Sequence, residues 1–302
     1  MRIGVPREKK PGEARVGLTP AVVAALVAHD HGVVVERDAG LAVGFNDDAY
    51  RAAGAGIVDD AATVFDVDLV VKVKELQASE YALPHRGSIV LGFQQFAVEP
   101  MYLEAARASG ATFIGCETIE SAKGAGPNDL PVLTAMSRIA GALAPQIGAM
   151  ALMRGLLHSP SGMPLPRGAG ILLGGADGTA AARVVVIGAG ASGTAAARAA
   201  AAMGARVTVL AASARRFAAL EASCVGHIET AVFDDHTLRA LLPTTHLLIG
   251  AVLIPGRTSP CLVDRAMIAA MPTGAVFIDI GIDQRGIAET SRMSRIDDPF
   301  YV

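Results

Sequence analysis

The residues with the most pointed chemistry are Gly188-Ala189-Gly190-Ala191-Ser192-Gly193, a GxGxxG pattern. They follow the apolar run Val184–Ile187 and open an Ala-rich stretch that leads to a second apolar run, Val207–Leu210. Strand, glycine turn, helix and strand in that order form the fingerprint of a dinucleotide-binding unit. In this reading Gly188 permits a tight turn, Gly190 lets backbone approach a diphosphate, and Gly193 lets the helix pack closely on the sheet. The first helical turn, from Ala191 and Ser192, offers amide donors and a partial positive charge to phosphates. In a chain with 33 glycines the pattern alone is weak, and its place between two strands is what makes it informative.

About twenty residues beyond such a turn, an NAD site carries Asp or Glu for the adenosine ribose. Here the second strand runs out into Ala211-Ala212-Ser213-Ala214-Arg215-Arg216. Loss of the acid removes repulsion against a 2′-phosphate, and Ser213 with Arg215 or Arg216 is suited to bind one. The cofactor expected is therefore NAD(P)H, with NADP(H) favoured over NAD(H). The plainer alternative is that these arginines only begin a solvated helix.

Other chemistries are excluded by type and spacing. Five of the 26 basic residues are lysine (Lys9, Lys10, Lys72, Lys74, Lys123), all within the first 123 positions. The second half thus lacks both a P-loop lysine and a Schiff-base lysine. Cys116, Cys224 and Cys261 are isolated and odd in number, and the seven histidines form no HExxH, so neither disulfide framework nor metal site is expected. A net charge of −3 argues against nucleic-acid partners, and 52% hydrophobic against 18% charged residues excludes disorder. The N-terminus MRIGVPREKK is too polar for a signal peptide. The uncharged run Ile139–Met153 (flanked by Arg138 and Arg154) is too short for a membrane span and holds Pro145 and Gln146. Cytoplasmic localisation without a membrane partner is the expectation.

These residues need a scaffold of alternating strands and helices. Apolar runs at 2–5, 33–37, 69–73, 88–93 and 112–116 read as strands, separated by helical patterns at 20–31, 47–53 and 98–109. The second half repeats the rhythm with runs at 183–188, 206–210, 246–252 and 275–281. Strands spaced by helical segments imply βαβ crossovers and parallel sheets. With only 4% aromatic residues, Ala, Val, Leu and Gly must do the packing. The pattern predicts an α/β protein of two Rossmann-like, doubly wound parallel-sheet domains joined by a long helix, with a cleft between them. The expected division is 1–133, an N-terminal substrate domain, and 134–302, an NAD(P)-binding domain. Residues 134–157 form the connecting helix, followed by a Pro- and Gly-rich loop over 158–170.

Several segments in order, spanning nearly the whole chain, resemble the alanine dehydrogenases and the related transhydrogenase nucleotide-binding subunits. They are RIGVPREKKPGEARVGLTP (2–20), LVVKVKEL (69–76), TAMSRIAG (134–141), GAVLIPG (250–256) and IDIGIDQRG (278–286). The resemblance implies that Arg15 binds a substrate carboxylate and that Lys74 contacts the substrate carbonyl or amine. It also implies that Ser137, Ala251, Val252 and Leu253 line the cofactor and that Asp283 lies near the nicotinamide ribose or reacting centre. These residue types suit the work: a guanidinium fork grips both oxygens of a carboxylate, and an ammonium polarises a carbonyl or iminium.

Two departures shape the expected function. The family's general acid–base histidine corresponds to Gln95 in GFQQFAVEP (92–100). Gln donates a hydrogen bond but moves no proton, and general acid–base catalysis is typically worth ~10²–10⁴-fold. The family also runs on for several dozen residues beyond the Asp297-Asp298-Pro299-Phe300-Tyr301-Val302 end. This implies a more open cleft and an assembly unlike the family hexamer, with a homo-oligomer, a dimer foremost, expected. The leading reading is hydride transfer between nicotinamide and the Cα of a small amino, imino or keto acid. In it Arg15 anchors, Lys74 polarises and Gln95 orients, with imine or keto-acid reduction as a specialisation and alanine a doubtful substrate. Two alternatives stand beside it: a dinucleotide-binding protein with little catalysis, and a lyase or cyclodeaminase that uses bound NAD transiently.

Overall fold

Among the described residues, eleven strands in two all-parallel sheets carry their exits to one edge of each sheet. The computed structural model describes residues 1–96, 99–121, 130–153, 168–223, 225–254, 258–294 and 299–302. The expected helix start at Val98, the 154–157 end of the connecting helix, most of the 158–170 loop, Cys224, residues 255–256 and Asp297-Asp298 lie outside the described residues. The chain divides into two compact units, Met1–Val132 and Leu133–Val302.

The first unit holds β1 (Arg2–Val5), β2 (Gly32–Glu36), β3 (Gly56–Val58), β4 (Leu69–Val71), β5 (Ile89–Gly92) and β6 (Thr112–Gly115), in the order β3-β2-β1-β4-β5-β6. Between them run α1 (Pro20–Val27), α2 (Asp47–Ala52), α3 (Ala61–Phe65) and α4 (Pro100–Ser109). Thr19, Asn46 and Asp60 cap the first three of these helices, each accepting an amide of the first turn. The chain winds one way from β1 to β3 and then returns to place β4 on the other side of β1. The exits of β1 and β4 therefore form a topological switch point, where ligands bind in open α/β sheets.

The second unit opens with α5 (Pro131–Leu152) and continues with β7 (Arg183–Ile187), α6 (Ala191–Ala202), β8 (Arg206–Ala211), α7 (Phe217–Ala222), β9 (Ile228–Val232), α8 (Asp235–Leu241), β10 (Leu247–Gly250), α9 (Arg265–Ala269) and β11 (Val276–Asp279). Read from β9, the order β11-β10-β7-β8-β9 is the 3-2-1-4-5 part of a dinucleotide-binding sheet, with its switch point between β7 and β10. Val184 and Val186 pack into one core layer while Val185 and Ile187 pack into the other, so β7 is buried on both faces. Ala196, Ala197, Ala200 and Ala201 let α6 lie close to the sheet, which is how an Ala-rich chain fills a core without bulky rings.

The expected two-domain parallel α/β architecture is what the chain adopts. Two strands escaped the sequence pattern, β3 and β9. Both are edge strands, short or half-exposed, and edge positions do not demand the continuous apolar run that marks a central strand. The strand expected over 69–73 ends at Val71. The Val73 and Lys74 amides leave the ladder for a side chain, with consequences for the site. The connecting helix begins at Pro131, three residues earlier than expected, since proline is well placed in a first helical turn.

Candidate active site

At the switch point of the first unit, four strand exits bring charged and amide side chains to one edge. β1 runs out into Glu8, β4 into Lys72 and Lys74, β5 into Gln94 and Gln95, and β6 into Glu117. Gly17 lets the 13–17 segment press on the β4 exit. A Cβ there would lie 2.3 Å from the Val71 carbonyl oxygen, so only glycine allows the approach that carries Arg15 to this edge.

Arg15 forms a fork on Glu13, with Nε donating to Oε1 at 2.8 Å and Nη2 to Oε2 at 2.6 Å. The Arg15 backbone amide adds a third bond to Oε1, at 2.9 Å. Burial alone would raise the Glu13 carboxyl, but the Arg15 bonds, with the charge of Lys74 behind them, hold it below the ordinary carboxylate value. Glu13 thus sits in the field of both Arg15 and Lys74.

Beneath them lies a buried charged group. Lys72 Nζ is 2.6 Å from Glu80 Oε1 and 3.7 Å from Glu8 Oε2. Glu8 Oε1 accepts the Val73 amide at 2.6 Å, and Oε2 accepts the Lys74 amide at 3.4 Å. Burial pushes the Glu8 carboxyl above its ordinary value, opposed by Lys72 and these two amides. Farther along the edge, Glu117 accepts the amides of Gln94 and Gln95 at 3.1 and 3.0 Å. Gln95 has φ +49°, a left-handed conformation uncommon outside glycine, and the Glu117 carboxylate holds the turn that imposes it. Gln94 is buried, with its carboxamide on the Val90 and Ile114 carbonyls and the Tyr102 hydroxyl.

The edge of the second unit is built from backbone. Gly188 turns with φ +112°, and a Cβ there would lie 2.4 Å from the Ala251 carbonyl oxygen. Gly193 packs under the turn, where a Cβ would fall 1.8 Å from Gly188 O. Gly190, the residue before α6, faces open space within 4 Å. Ser192 Oγ is buried with no hydrogen-bond partner among the described residues. An open glycine ahead of a helix N-terminus and an unsatisfied hydroxyl in its first turn fit the diphosphate of a dinucleotide.

Around this turn, Ala211 ends β8 and is followed by exposed Ser213, Arg215 and Arg216. The Arg216 guanidinium folds back so that Nη1 donates to Ala189 O at 3.3 Å, inside the glycine turn. Ala251 N donates to Ile187 O at 2.8 Å, and Val252 O accepts the Ser259 hydroxyl at 3.2 Å. Leu253 follows them, about 39% exposed. Ser137 lies on α5 one turn from Gly141, where a Cβ would come 2.1 Å from Ser192 O, so that helix face packs on the start of α6. Asp283 lies in the 3-10 turn Ile282–Gln284 after β11.

The sequence matches known families over most of its length. Residues 4–140 match the alanine dehydrogenase/PNT N-terminal domain and residues 163–302 the alanine dehydrogenase/PNT C-terminal domain. The chain belongs to the alanine dehydrogenase/PNT family. It is 41% identical over 302 residues to alanine dehydrogenase of Mycobacterium tuberculosis (strain ATCC 25618 / H37Rv), covering 100% of this chain and 78% of that one. Identity to alanine dehydrogenase of Bacillus subtilis (strain 168) is 39%, covering 100% and 76%. A solved L-alanine dehydrogenase superposes with a TM-score of 0.88 at 37% identity, over 100% of this chain and 80% of that one. A transhydrogenase from Sinorhizobium meliloti superposes with a TM-score of 0.75 at 26% identity, over 96% and 81%. The family is one of oxidoreductases, and its α/β fold is the one observed.

Within this alanine dehydrogenase/PNT chain, Arg15, Lys74 and Gln95 share the exit edge of the first sheet. The glycine turn, Ala211, Ser213, Arg215, Arg216, Ala251, Val252, Leu253 and Asp283 share that of the second. Sequence reasoning missed Glu8, Lys72, Glu80 and Glu117, which support that first edge. It also missed Asp279, whose Oδ2 accepts the Ile287 amide at 2.6 Å and the Ser291 hydroxyl at 2.5 Å to hold the chain after β11. Among the described residues no three potential ligands cluster as for a metal ion, and no helix is long and apolar enough to cross a membrane.

Proposed function

We propose that this chain is an NAD(P)-dependent oxidoreductase that moves hydride between a nicotinamide and the Cα of a small amino, imino or keto acid, with NADP(H) preferred. The observation that carries the reading is that Arg15 forks onto the Glu13 carboxylate at the switch point of the first sheet, with Lys74 leaving β4 on the same edge. A fork and an ammonium so placed are what a keto or amino acid requires. Arg15 binds the substrate carboxylate in competition with Glu13, and Lys74 polarises the reacting carbonyl or iminium. Gln95 orients that group through its carboxamide and moves no proton. Reduction of a preformed imine places a lighter demand on proton transfer than oxidation of free alanine, so reduction of C=N is the favoured specialisation.

The second unit holds the dinucleotide, which when bound supplies or accepts the hydride. Gly188, Gly190, Ala191, Ser192 and Gly193 receive its diphosphate, with Ser137, Ala251, Val252, Leu253 and Asp283 along the remainder. Support for NADP(H) comes from the absence of an acid at the β8 exit and from exposed Arg216, whose Nη1 donates to Ala189 O while its guanidinium has further donors to offer a 2′-phosphate. The test is a spectrophotometric screen of keto acids with ammonia or amines, run with NADH and NADPH in parallel. Turnover of a small keto or imino acid, faster with NADPH, is expected. NADH binding at least as tightly as NADPH overturns the cofactor preference. A silent screen with tight dinucleotide binding would favour the second reading, a nucleotide-binding protein with little catalysis, to which Gln95 in place of histidine lends weight.

A further inference from the structure

Glu8 belongs to none of the roles assigned above, yet it controls the backbone that carries Lys74. After Val71 the β4 chain keeps two bonds to the β5 chain, from Lys72 N to Leu91 O at 2.9 Å and from Phe93 N to Val73 O at 3.0 Å. The next two amides, of Val73 and Lys74, turn to the Glu8 carboxylate, at 2.6 and 3.4 Å. Bonds to an ionised acceptor are roughly twice as strong as those between neutral groups, and both carboxylate oxygens are engaged. Glu8 leaves β1 and Lys74 leaves β4, so this one side chain ties the two strand exits of the switch point together.

The setting of Glu8 is unusual for a surface turn. Its side chain is 2% exposed, and those of Lys72 and Glu80 are 1% exposed. Lys72 and Glu80 already make a neutral pair, and Glu80 Oε2 accepts the Gln77 amide at 2.8 Å. Glu8 therefore brings a second carboxylate to a single buried ammonium. Buried ion pairs are poor stability devices, since apolar packing of equal volume often does as well. A third buried charge beneath the reacting edge is explained by what it holds in place.

We propose that Glu8 is a positioning residue for Lys74, its carboxylate fixing the β4 exit and the buried Lys72–Glu80 pair fixing the carboxylate. This rests on the reading of Lys74 as the group that polarises substrate. Glu8→Gln keeps the shape but presents an NH₂ where one backbone amide needs an acceptor. The full chain, saturated with reduced dinucleotide, is titrated with pyruvate and binding is read from nicotinamide fluorescence. At least tenfold weaker pyruvate binding is expected, with the dinucleotide Kd unchanged within twofold. In a Lys74→Met background the same change should weaken pyruvate binding less than twofold. Equal weakening in both backgrounds overturns the proposal. Glu8→Asp, which keeps the charge but shortens the reach, replaces Glu8→Gln in the cycle if that variant does not fold. A second readout is independent of substrate: the rate at which trinitrobenzenesulfonate labels Lys74 relative to Lys9, read by peptide mass spectrometry. A change of threefold or more in Glu8→Gln is expected, and an unchanged ratio overturns the proposal. If the unmodified chain binds no keto acid while this ratio moves, the substrate reading fails and the positioning of Lys74 by Glu8 stands.

Discussion

In the first sheet the strand exits are lined by charged side chains that hold one another. In the second the corresponding edge is mostly glycine and alanine backbone. On the function proposed above, Arg15 and Lys74, held among Glu13, Glu8 and Lys72, suit the first edge to gripping a small ion by side chains. On the same reading, Gly188, Gly190 and Gly193 suit the second to the close approach of an extended ligand to the main chain. A three-carbon acid offers a carboxylate and one reacting carbon, so specificity must come from a few well-aimed groups. A dinucleotide offers a long diphosphate-linked surface, which backbone donors recognise without a charged partner for every contact. The same parallel-sheet topology serves both because in each unit the chain reverses its winding and opens a crevice at the strand exits.

Removing Lys74 should break the comparison most severely. Lys74→Ala is expected to lower kcat for reductive amination by about 10²–10³-fold, the scale of a lost electrostatic stabiliser. The dinucleotide Kd, from fluorescence titration, should remain within twofold. A variant that keeps its rate means that the first edge does not perform the chemistry.

Gln95→His tests the same edge from the other side. The left-handed backbone at this position is one that histidine adopts more readily than most residues. A restored proton carrier should raise oxidative deamination of alanine by about 10²-fold, within the general acid–base range. The rate of NAD(P)⁺ reduction between pH 8 and 10 measures it, and an unchanged rate means that proton transfer is not what limits the native chain.

Two alanines separate binding from folding on the second edge. At Gly190 a Cβ meets nothing, so Gly190→Ala should keep its melting temperature while the dinucleotide Kd rises roughly tenfold through lost close approach. At Gly193 the added Cβ would collide with Gly188 O, and overpacking of this kind costs about 1–3 kcal/mol. Calorimetry should show that cost as a lower melting temperature. Arg216→Ala is a smaller change: NADPH binding should weaken about fivefold to tenfold, the scale of one charge-assisted bond, with NADH binding unaffected. Equal weakening of both cofactors would make Arg216 a support for the turn through Ala189 and nothing more.

What could be read from sequence follows from how local each determinant is. The glycine turn was legible because strand, turn and helix are contiguous and each glycine answers a local steric demand. The central strands were legible because burial on both faces leaves unbroken apolar runs, as in Val184–Ile187. Glu8 and Glu117 were not. Their work is to accept backbone amides 65 and 22 residues away, and no spacing rule connects a carboxylate to an amide across a sheet. Arg216 lay between: its type suggested an anion, while its bond to Ala189 depends on where β8 ends beside β7.

The smallest expected effect concerns acid, and it separates the two units by pH. His246 lies just before β10, at the opposite edge of the second sheet, where its Nδ1 accepts the Arg183 amide at 3.0 Å. Burial, then the Arg183 charge, holds its pKa below the ordinary 6.5, and the amide bond requires an unprotonated Nδ1. The unfolded chain therefore takes up this proton first as the pH falls. Stability from the neutral ring is complete above about pH 6.5 and declines below it. Glu13 behaves differently, because Arg15 and Lys74 outweigh its burial and lower its pKa. Its contribution is complete above the ordinary carboxylate value of 4.5 and is lost only as the pH falls through the lower folded value. Between pH 7.5 and 5.5, acid should therefore weaken the second unit before it loosens the Arg15–Glu13 fork of the first. His246→Asn, whose carbonyl accepts the same amide without titrating, should reduce the drop in melting temperature over that interval by roughly 1–2 °C. An identical drop in the variant would place the early acid sensitivity elsewhere than this ring.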